Sequence, residues 1–340
     1  MKKKRIALYP FTDQYYLLGN PLPNNYCIEC LIVENDWIDR VKNRCLTEKS
    51  LNILSPTTVA LGFFDQLIVL NNCNSIAPCS PYQDSFVRLC ATQGIEIHYE
   101  MNNQRVNYLS SSLHNLKSTI LLNLSAVDGN YHTQTEFSIW NHFKRENANM
   151  YIISPTALAP LYDYERFPIE HFCNLSMNEA IISFNQYIYD IETKHSPDVI
   201  MISSPQPVNP IEFGGQYKSM LNRALINAIN PDFVTLYMYG RNQLDIYFRD
   251  ILASVEKDIG IDIDCVTLSE YIFDEDEKNP GTFLFYEGRS DEQEKMYEKL
   301  CELKIKTPIF LSSRFEDFYS YLVSKITKTS GGKAIYEQYI

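Results

Sequence analysis

Positive charge is scarce in this sequence. It has 30 Lys and Arg against 42 Asp and Glu, a formal net charge of −12, and its one basic run is Lys2 to Arg5. Phosphate backbones are bound by clustered Lys and Arg, so no nucleic-acid partner is expected. Long apolar runs are also missing. No stretch of 18 apolar residues occurs, so no membrane span is expected and the protein reads as cytoplasmic. The apolar piece after Lys2–Arg5, Ile6 to Tyr9, is short and stopped by Pro10; it reads as a first strand and not as a signal peptide. Paired cysteines are lacking too. The nine cysteines are odd in number and scattered, as in a chain with reduced thiols. Cys27 and Cys30 form a C-x-x-C inside an apolar run that reads as a strand. There the two sulfurs point to opposite faces, and no second pair completes a metal set. None of the six histidines makes an H-x-H or H-x-x-x-H pair.

What is present is an alternation of apolar runs and helical stripes. At 340 residues the chain exceeds one ordinary core, so two domains are expected. Residues 1–101 read as a small Rossmann-like α/β domain with strands at Arg5–Tyr9, Tyr26–Val33, Phe64–Leu70 and Ile95–Tyr99. A helix over 83–92 has Phe86, Leu89 and Cys90 at core spacing and Gly94 as its stop. Trp37 to Val41 suggests a helical turn or lid. Residues 102–117, polar and Ser-rich, read as a linker, 118–329 as a larger doubly wound parallel-sheet domain, and 330–340 as a tail.

The larger domain centres on the stretch from Ser118 to Pro155. A buried strand (Ile120 to Leu124) meets a polar loop, then a helix with Phe137, Trp140 and Phe143 on one side, then a second strand (Met150 to Ile153). Later strands are expected at Asp198–Ser203, Phe233–Met238, Ile261–Leu268, Thr282–Tyr286 and Pro308–Leu311. A turn is expected at Tyr239–Asn242 and an acidic loop at Asp274–Glu277. Parallel α/β sheets hold ligands beyond the carboxyl ends of their strands. That nominates Asp128, Gly129, Asn130, His132, Thr133, Gln134 and Thr135 after the first central strand. Ser203, Ser204 and Gln206 follow the next, and Tyr239 and Arg241 the third.

The strand–loop–helix context is P-loop-like. With Thr135 at the Ser/Thr position of G-x-x-x-x-G-K-[ST], however, Asp128 and Thr133 replace the two glycines and Gln134 replaces the Lys. A phosphate there has no cationic partner. The strand Asp198–Ser203 has no acidic residue at its carboxyl end to hold Mg²⁺. Ser203-Ser204 lacks the flanking glycines of a nucleophile elbow. No cofactor follows from any motif. Tyr162, Tyr164 and Phe167 crowd a proline-rich segment after Pro155, a composition that suits peptide recognition.

Four stretches in order, KKRIALYPF, STILLNLSAVDGNYHTQTEF, YIISPTALAPLYDYERFP and DVIMISSPQPVNPIEFGGQ with NPDFVTLYMYG and GIDIDCVTLSEY, resemble the clostridial-type peptide maturation system proteins. Proteins of that family accompany radical SAM enzymes that modify ribosomally made peptides. The resemblance spans most of the chain and departs at Gln134-Thr135-Glu136, where the family pattern has a Lys-Phe pair. It implies an accessory protein that binds the precursor peptide, the radical SAM modifying enzyme, or both, and it implies no reaction. The residues leave two alternatives open: a nucleotide-binding enzyme (degenerate P-loop NTPase or nucleotide-donor transferase), and an oligomeric scaffold.

Overall fold

The computed structural model describes residues 3–10, 26–33, 38, 52–70, 85–99, 112–126, 132–156, 159–162, 164–172, 175–208, 216–240, 244–275, 283–303 and 305–329. The expected helical turn over 37–41 and the 330–340 tail lie outside them, apart from Ile38. The protein is α/β, with parallel sheets, in two units: residues 1–104 with 156–166, and residues 105–155 with 167–340.

The smaller unit has five parallel strands in the order β3-β2-β1-β4-β5. They are β1 (Lys4–Tyr9), β2 (Tyr26–Ile32), β3 (Asn52–Leu54), β4 (Gln66–Val69) and β5 (Glu96–Tyr99). Strand β3, three residues long, was not expected from sequence; its pattern is too short to register as a period. Ala7, Tyr9, Cys30, Ile32, Leu67 and Val69 pack with Phe86, Val87 and Cys90 of helix α1 (Ser85–Thr92). Leu89 is not part of this core: it is 47% exposed, and Val87 is buried instead. At about 100° per residue, a stripe centred between Phe86, Val87 and Cys90 turns Leu89 outward. Gly94 ends α1 at φ +77°, a left-handed conformation natural to glycine. The Ile95 N–H reaches back to the Cys90 carbonyl at 3.1 Å. Burial pushes the Cys30 thiol up to about 12, so it is inert at neutral pH. The 156–166 segment, expected in the larger domain, belongs with this unit. It carries a 3₁₀ turn at Ala159–Tyr162 and the two-residue strand β8 (Glu165–Arg166).

The larger unit is built on β6 (Thr119–Ser125), β7 (Met150–Ser154), β9 (Val199–Pro207), β10 (Phe233–Gly240), β11 (Cys265–Glu275), β12 (Phe283–Glu287) and β13 (Ile309–Leu311). They are ordered β12-β11-β10-β6-β9-β7, with β13 also beside β11. The described pairs are parallel except β11 with β12, an antiparallel hairpin. Strand β6 is central and buried throughout. The chain leaves it toward β9 and β7 and returns across it to β10, which makes β6 the switch point. Helices α2 (His132–Arg145), α3 (Ile169–Phe172), α4 (Met177–His195), α5 (Gln216–Ile229), α6 (Leu244–Ser254), α7 (Ser290–Glu302) and α8 (Phe315–Thr329) complete it.

Three expected boundaries move. Strand β10 runs on through Tyr239 and Gly240, where a turn was expected. Strand β11 starts later, at Cys265, and continues to Glu275, so Asp274 and Glu275 lie in a strand and not in an acidic loop. Pairing with β12 supplies the hydrogen bonds that extend it. A further helical turn, Val255–Ile259, follows α6, and Gly260 ends it at φ +78°.

Part of the expected linker is bolted to α4. The His114 N–H donates to Asn185 Oδ1 at 2.5 Å, and Asn185 Nδ2 donates to the carbonyls of His114 (3.0 Å) and Ala228 (2.8 Å). The His114 ring stacks on Tyr189 at 4.0 Å. Backbone N–H groups of Lys117 and Ser118 share Glu192 Oε1 at 2.7 and 2.5 Å. Helix α4 starts in a capping box between Ser176 and Glu179; hydrogen bonds from the Ser176 hydroxyl and N–H hold the Glu179 carboxyl below its ordinary range. Asn185→Ala removes three hydrogen bonds, the one to Ala228 fully buried and the two to His114 half-buried, and strands their backbone partners. It should lower the unfolding free energy by about 2–4 kcal/mol in chemical denaturation. A loss under about 0.5 kcal/mol would contradict the account.

Candidate functional site

One face of the larger sheet changes character along its strands. In β6 the side chains on that face run Leu121, Asn123, Ser125; in β10, Phe233, Thr235, Tyr237; in β9, Met201, Ser203; in β11, Cys265, Thr267, Ser269. Register places these in rows. Phe233, Leu121 and Met201 stand side by side, then Ser203, Asn123, Thr235 and Cys265, then Ser125, Tyr237 and Thr267. The face is apolar toward the amino ends and polar toward the carboxyl ends, where α/β proteins hold ligands. Every one of these side chains is buried. Alternate residues on the same strands, such as Leu122, Leu124, Leu236, Met238, Val266 and Leu268, point to the other face.

Helix α2 packs against β7 and α8. Its first turn is His132, Thr133 and Gln134, and its second brings Thr135 and Glu136, both buried, with Glu136 at 0% exposure. The hydroxyls of Thr135, Ser269 and Ser312 act on the Tyr237 phenol and favour its ionised form. Glu136 Oε2 accepts from the Ser154 hydroxyl, at the carboxyl end of β7, at 2.9 Å. Asn123 Nδ2 donates to Ser203 Oγ at 3.4 Å. Burial pushes the Tyr237 phenol up to about 12, against the pull of its hydroxyl partners; burial likewise pushes the Cys265 thiol up to about 12. Neither ionises near neutral pH.

The far half of α2 is fixed to α8. His142 Nε2 meets Glu316 Oε1 at 3.0 Å, and its ring packs on Phe315 and Tyr319. The Tyr319 hydroxyl donates to Glu146 Oε2 at 2.8 Å.

The nominated residues separate on this framework. Asp128, Gly129, Asn130 and Arg241 lie outside the described residues. His132, Thr133, Gln134 and Thr135 open α2; Thr133 to Thr135 were expected in its first turn and His132 in the loop before it. Ser203 and Ser204 are not in a loop beyond a strand, because β9 continues through Pro207. Asn123 pairs with Ser203 and Ser125 with Pro207, so Ser204, Pro205 and Gln206 bulge opposite the single Leu124. The bulge is what lets a proline sit inside a central strand. The Ser204 hydroxyl lies 2.8 Å from the Gln206 carbonyl, accepts the Gln206 N–H at 3.2 Å and meets Asn222 Oδ1 of α5. Asn222 Nδ2 donates to the Gln206 carbonyl at 3.0 Å. Ser204 and the Gln206 backbone therefore shape the bulge. Tyr239 is buried at 0% exposure; it is a core side chain in a strand and not a ligand contact at a turn. Tyr162, Tyr164 and Phe167 are buried as well. They do not form the recognition surface that their composition suggested, and Phe167 packs with Phe172 and Phe184.

Sequence reasoning missed Tyr237, Ser269, Ser154, Asn123, Glu136 and Asn222. A signal was present. Strands buried on both faces in parallel sheets are usually continuous apolar runs, whereas LLNLS, FVTLY and CVTLS put a polar residue at every second position.

No protein-family profile matches the chain, and no curated protein matches it. Among solved structures, a DUF1611 family protein from Anabaena variabilis superposes with a TM-score of 0.62 at 10% identity, over 96% of this chain and 100% of that one. At that identity the likeness extends to the fold alone. An AMPPNP-bound plasmid partition protein from Borrelia burgdorferi (TM-score 0.38, 9% identity, 63% of this chain, 99% of that one) is a weaker match. So is MinD from Aquifex aeolicus (0.35, 11%, 63%, 95%). Neither is close enough to carry an argument.

An ordinary Tyr titrates at 10.0 and Tyr237 at about 12 in the folded chain. Below pH 10 the folded and unfolded states both keep this proton; between about 10 and 12 only the folded state does. The Tyr237 contribution to stability should therefore be lost as pH rises through that window. Measured as denaturation free energy against pH, the fall should be shallower in Tyr237→Phe than in the wild type.

Proposed function

We propose that the protein is an accessory factor in the maturation of ribosomally made peptides, and that it holds the precursor peptide or its modifying enzyme at the carboxyl edge of the larger sheet. The observation that carries this reading over a nucleotide hydrolase is the burial of Thr135, 5% exposed. In the P-loop frame Thr135 is the hydroxyl that would face Mg²⁺; here it is buried. Gln134 stands where the phosphate-binding Lys belongs. Strand β9 offers serines, one tied to Asn123 and one to its own bulge, in place of a metal-binding carboxylate. The described residues at this edge thus offer a polyphosphate neither a cationic partner nor a metal-binding carboxylate. The resemblance to clostridial-type peptide maturation proteins supplies the class of partner.

The second reading, a nucleotide-binding enzyme, draws on the position of the β6–loop–α2 unit at the switch point, a place that binds nucleotides in related architectures. Thermal denaturation separates the two. ATP or GTP with Mg²⁺ at a hundred times its dissociation constant would add about 2.7 kcal/mol of stability, and no shift in melting temperature is expected. Immobilised full-length protein should retain the precursor peptide or the radical SAM enzyme encoded beside it. Retention of neither, together with a nucleotide-induced shift, would overturn the proposal in favour of the second reading.

A further inference from the structure

Four aspartates among the described residues hold the same place in the fold. Asp65, Asp198, Asp232 and Asp264 immediately precede β4, β9, β10 and β11. Each donates its backbone N–H to a carbonyl at or beside the start of the neighbouring strand: Asp65 to Arg5 (2.9 Å), Asp198 to Asn149 (2.8 Å), Asp232 to Ile120 (2.9 Å) and Asp264 to Val234 (3.0 Å). Its carboxylate then accepts the N–H of that same residue, at 3.3, 3.1, 2.8 and 2.9 Å in the same order. In a regular parallel ladder that N–H would go to the carbonyl two residues before the aspartate. Before β9 and β10 this place falls on Ser196 and Asn230, at φ 45° and 44°, where the backbone has left the strand direction. The carboxylate stands in for the missing carbonyl. Each aspartate pair lies one rung before the first rung of its strand pair: Ile6 with Gln66, Met150 with Val199, Leu121 with Phe233, and Thr235 with Cys265.

We propose that Asp198, Asp232 and Asp264 are positioning residues for the candidate site: at the amino edge of the larger sheet they set the register that aligns the polar rows of its carboxyl half. A strand that slips by one residue turns every side chain to the other face. A slip by two would keep the face but move Thr235 away from Asn123. A clasp that holds both the N–H and the carbonyl of one residue is satisfied in a single register, because hydrogen bonds are short and directional. Asp232 fixes β10 against β6, Asp264 fixes β11 against β10, and Asp198 fixes β9 against β7. The carbonyl of Asp198 also accepts the Thr119 N–H of β6 at 3.0 Å, which links the clasped pairs across the switch strand. The ligand those rows would meet rests on the peptide-binding reading above, but the register does not.

Hydrogen exchange of the full chain without ligand tests the assignment. Asp232→Ala removes the acceptor, Asp232→Asn keeps an oxygen in its place, and Asp262→Ala removes an exposed aspartate outside the clasps. In Asp232→Ala, exchange should rise about tenfold in peptides covering 119–126 and 233–240, through to the carboxyl ends of both strands, while 150–154 stays unchanged. Asp232→Asn and Asp262→Ala should both match the wild type. A rise confined to the first residues of β6 and β10 would overturn the proposal, since the end would fray with the register kept. An equal rise in β7 would also overturn it, since that is general loosening. Should Asp232→Ala fail to fold, Asp232→Asn decides: wild-type exchange upholds the clasp, and raised exchange or unfolding overturns it. Because no ligand is present, a failed peptide capture leaves this result standing, and a flat exchange pattern leaves the peptide-binding reading standing.

Discussion

A strand with neighbours on both edges and helices on both faces has no access to water. A polar side chain on such a strand must find its partner inside the protein or lose about 1–3 kcal/mol. The larger unit accepts that constraint repeatedly: Asn123, Ser203, Thr235, Tyr237 and Ser269 are all buried on one face of its central strands. The placement of α2 depends on how those groups are satisfied. Glu136 is the helix residue that answers the sheet, through Ser154. The helix that opens at the carboxyl edge is therefore seated on a directional bond near its start and on aromatic packing further along, where Phe143 meets Tyr319.

The same constraint shapes the other face. There Leu122, Leu236 and Val266 build an ordinary apolar core, and polarity enters at the bulge of β9. Three residues opposite one leave backbone groups without ladder partners, and Ser204 and Asn222 take them up. Both serines of the Ser203-Ser204 pair thus have structural partners, on opposite faces of one strand. Asn185 plays the equivalent part between α4, α5 and the chain that enters β6. Amide side chains recur in these positions because each offers donors and an acceptor together.

Much of the architecture was legible in the residues. Strands β1, β2, β4, β6, β7, β9 and β10 and the helices between them follow from apolar runs and 3.6-residue stripes, with Gly94 and Gly260 ending helices where expected. Less of the site was legible. A turn at Tyr239 and a loop at Ser204 were natural inferences from Gly240 and Pro205. Both failed because neighbouring strands, β11 in one case and β6 in the other, extended the pairing past the local breaker. Tyrosines 162 and 164 looked like surface because proline-rich segments usually are; burial by the rest of the fold decided otherwise.

The sequence by itself determined that this is an α/β chain with a strand–loop–helix unit at its centre and no Lys where a phosphate would need one. Those properties are local: periodicity, punctuation and residue type along a single stretch. Only the tertiary structure decided that Ser203, Asn123, Thr235 and Cys265 stand in one row across the sheet. Those residues are spread over four segments and meet because parallel pairing sets β10 beside both β6 and β11. Register across strands is a property of the folded sheet, and no single stretch of the chain contains it.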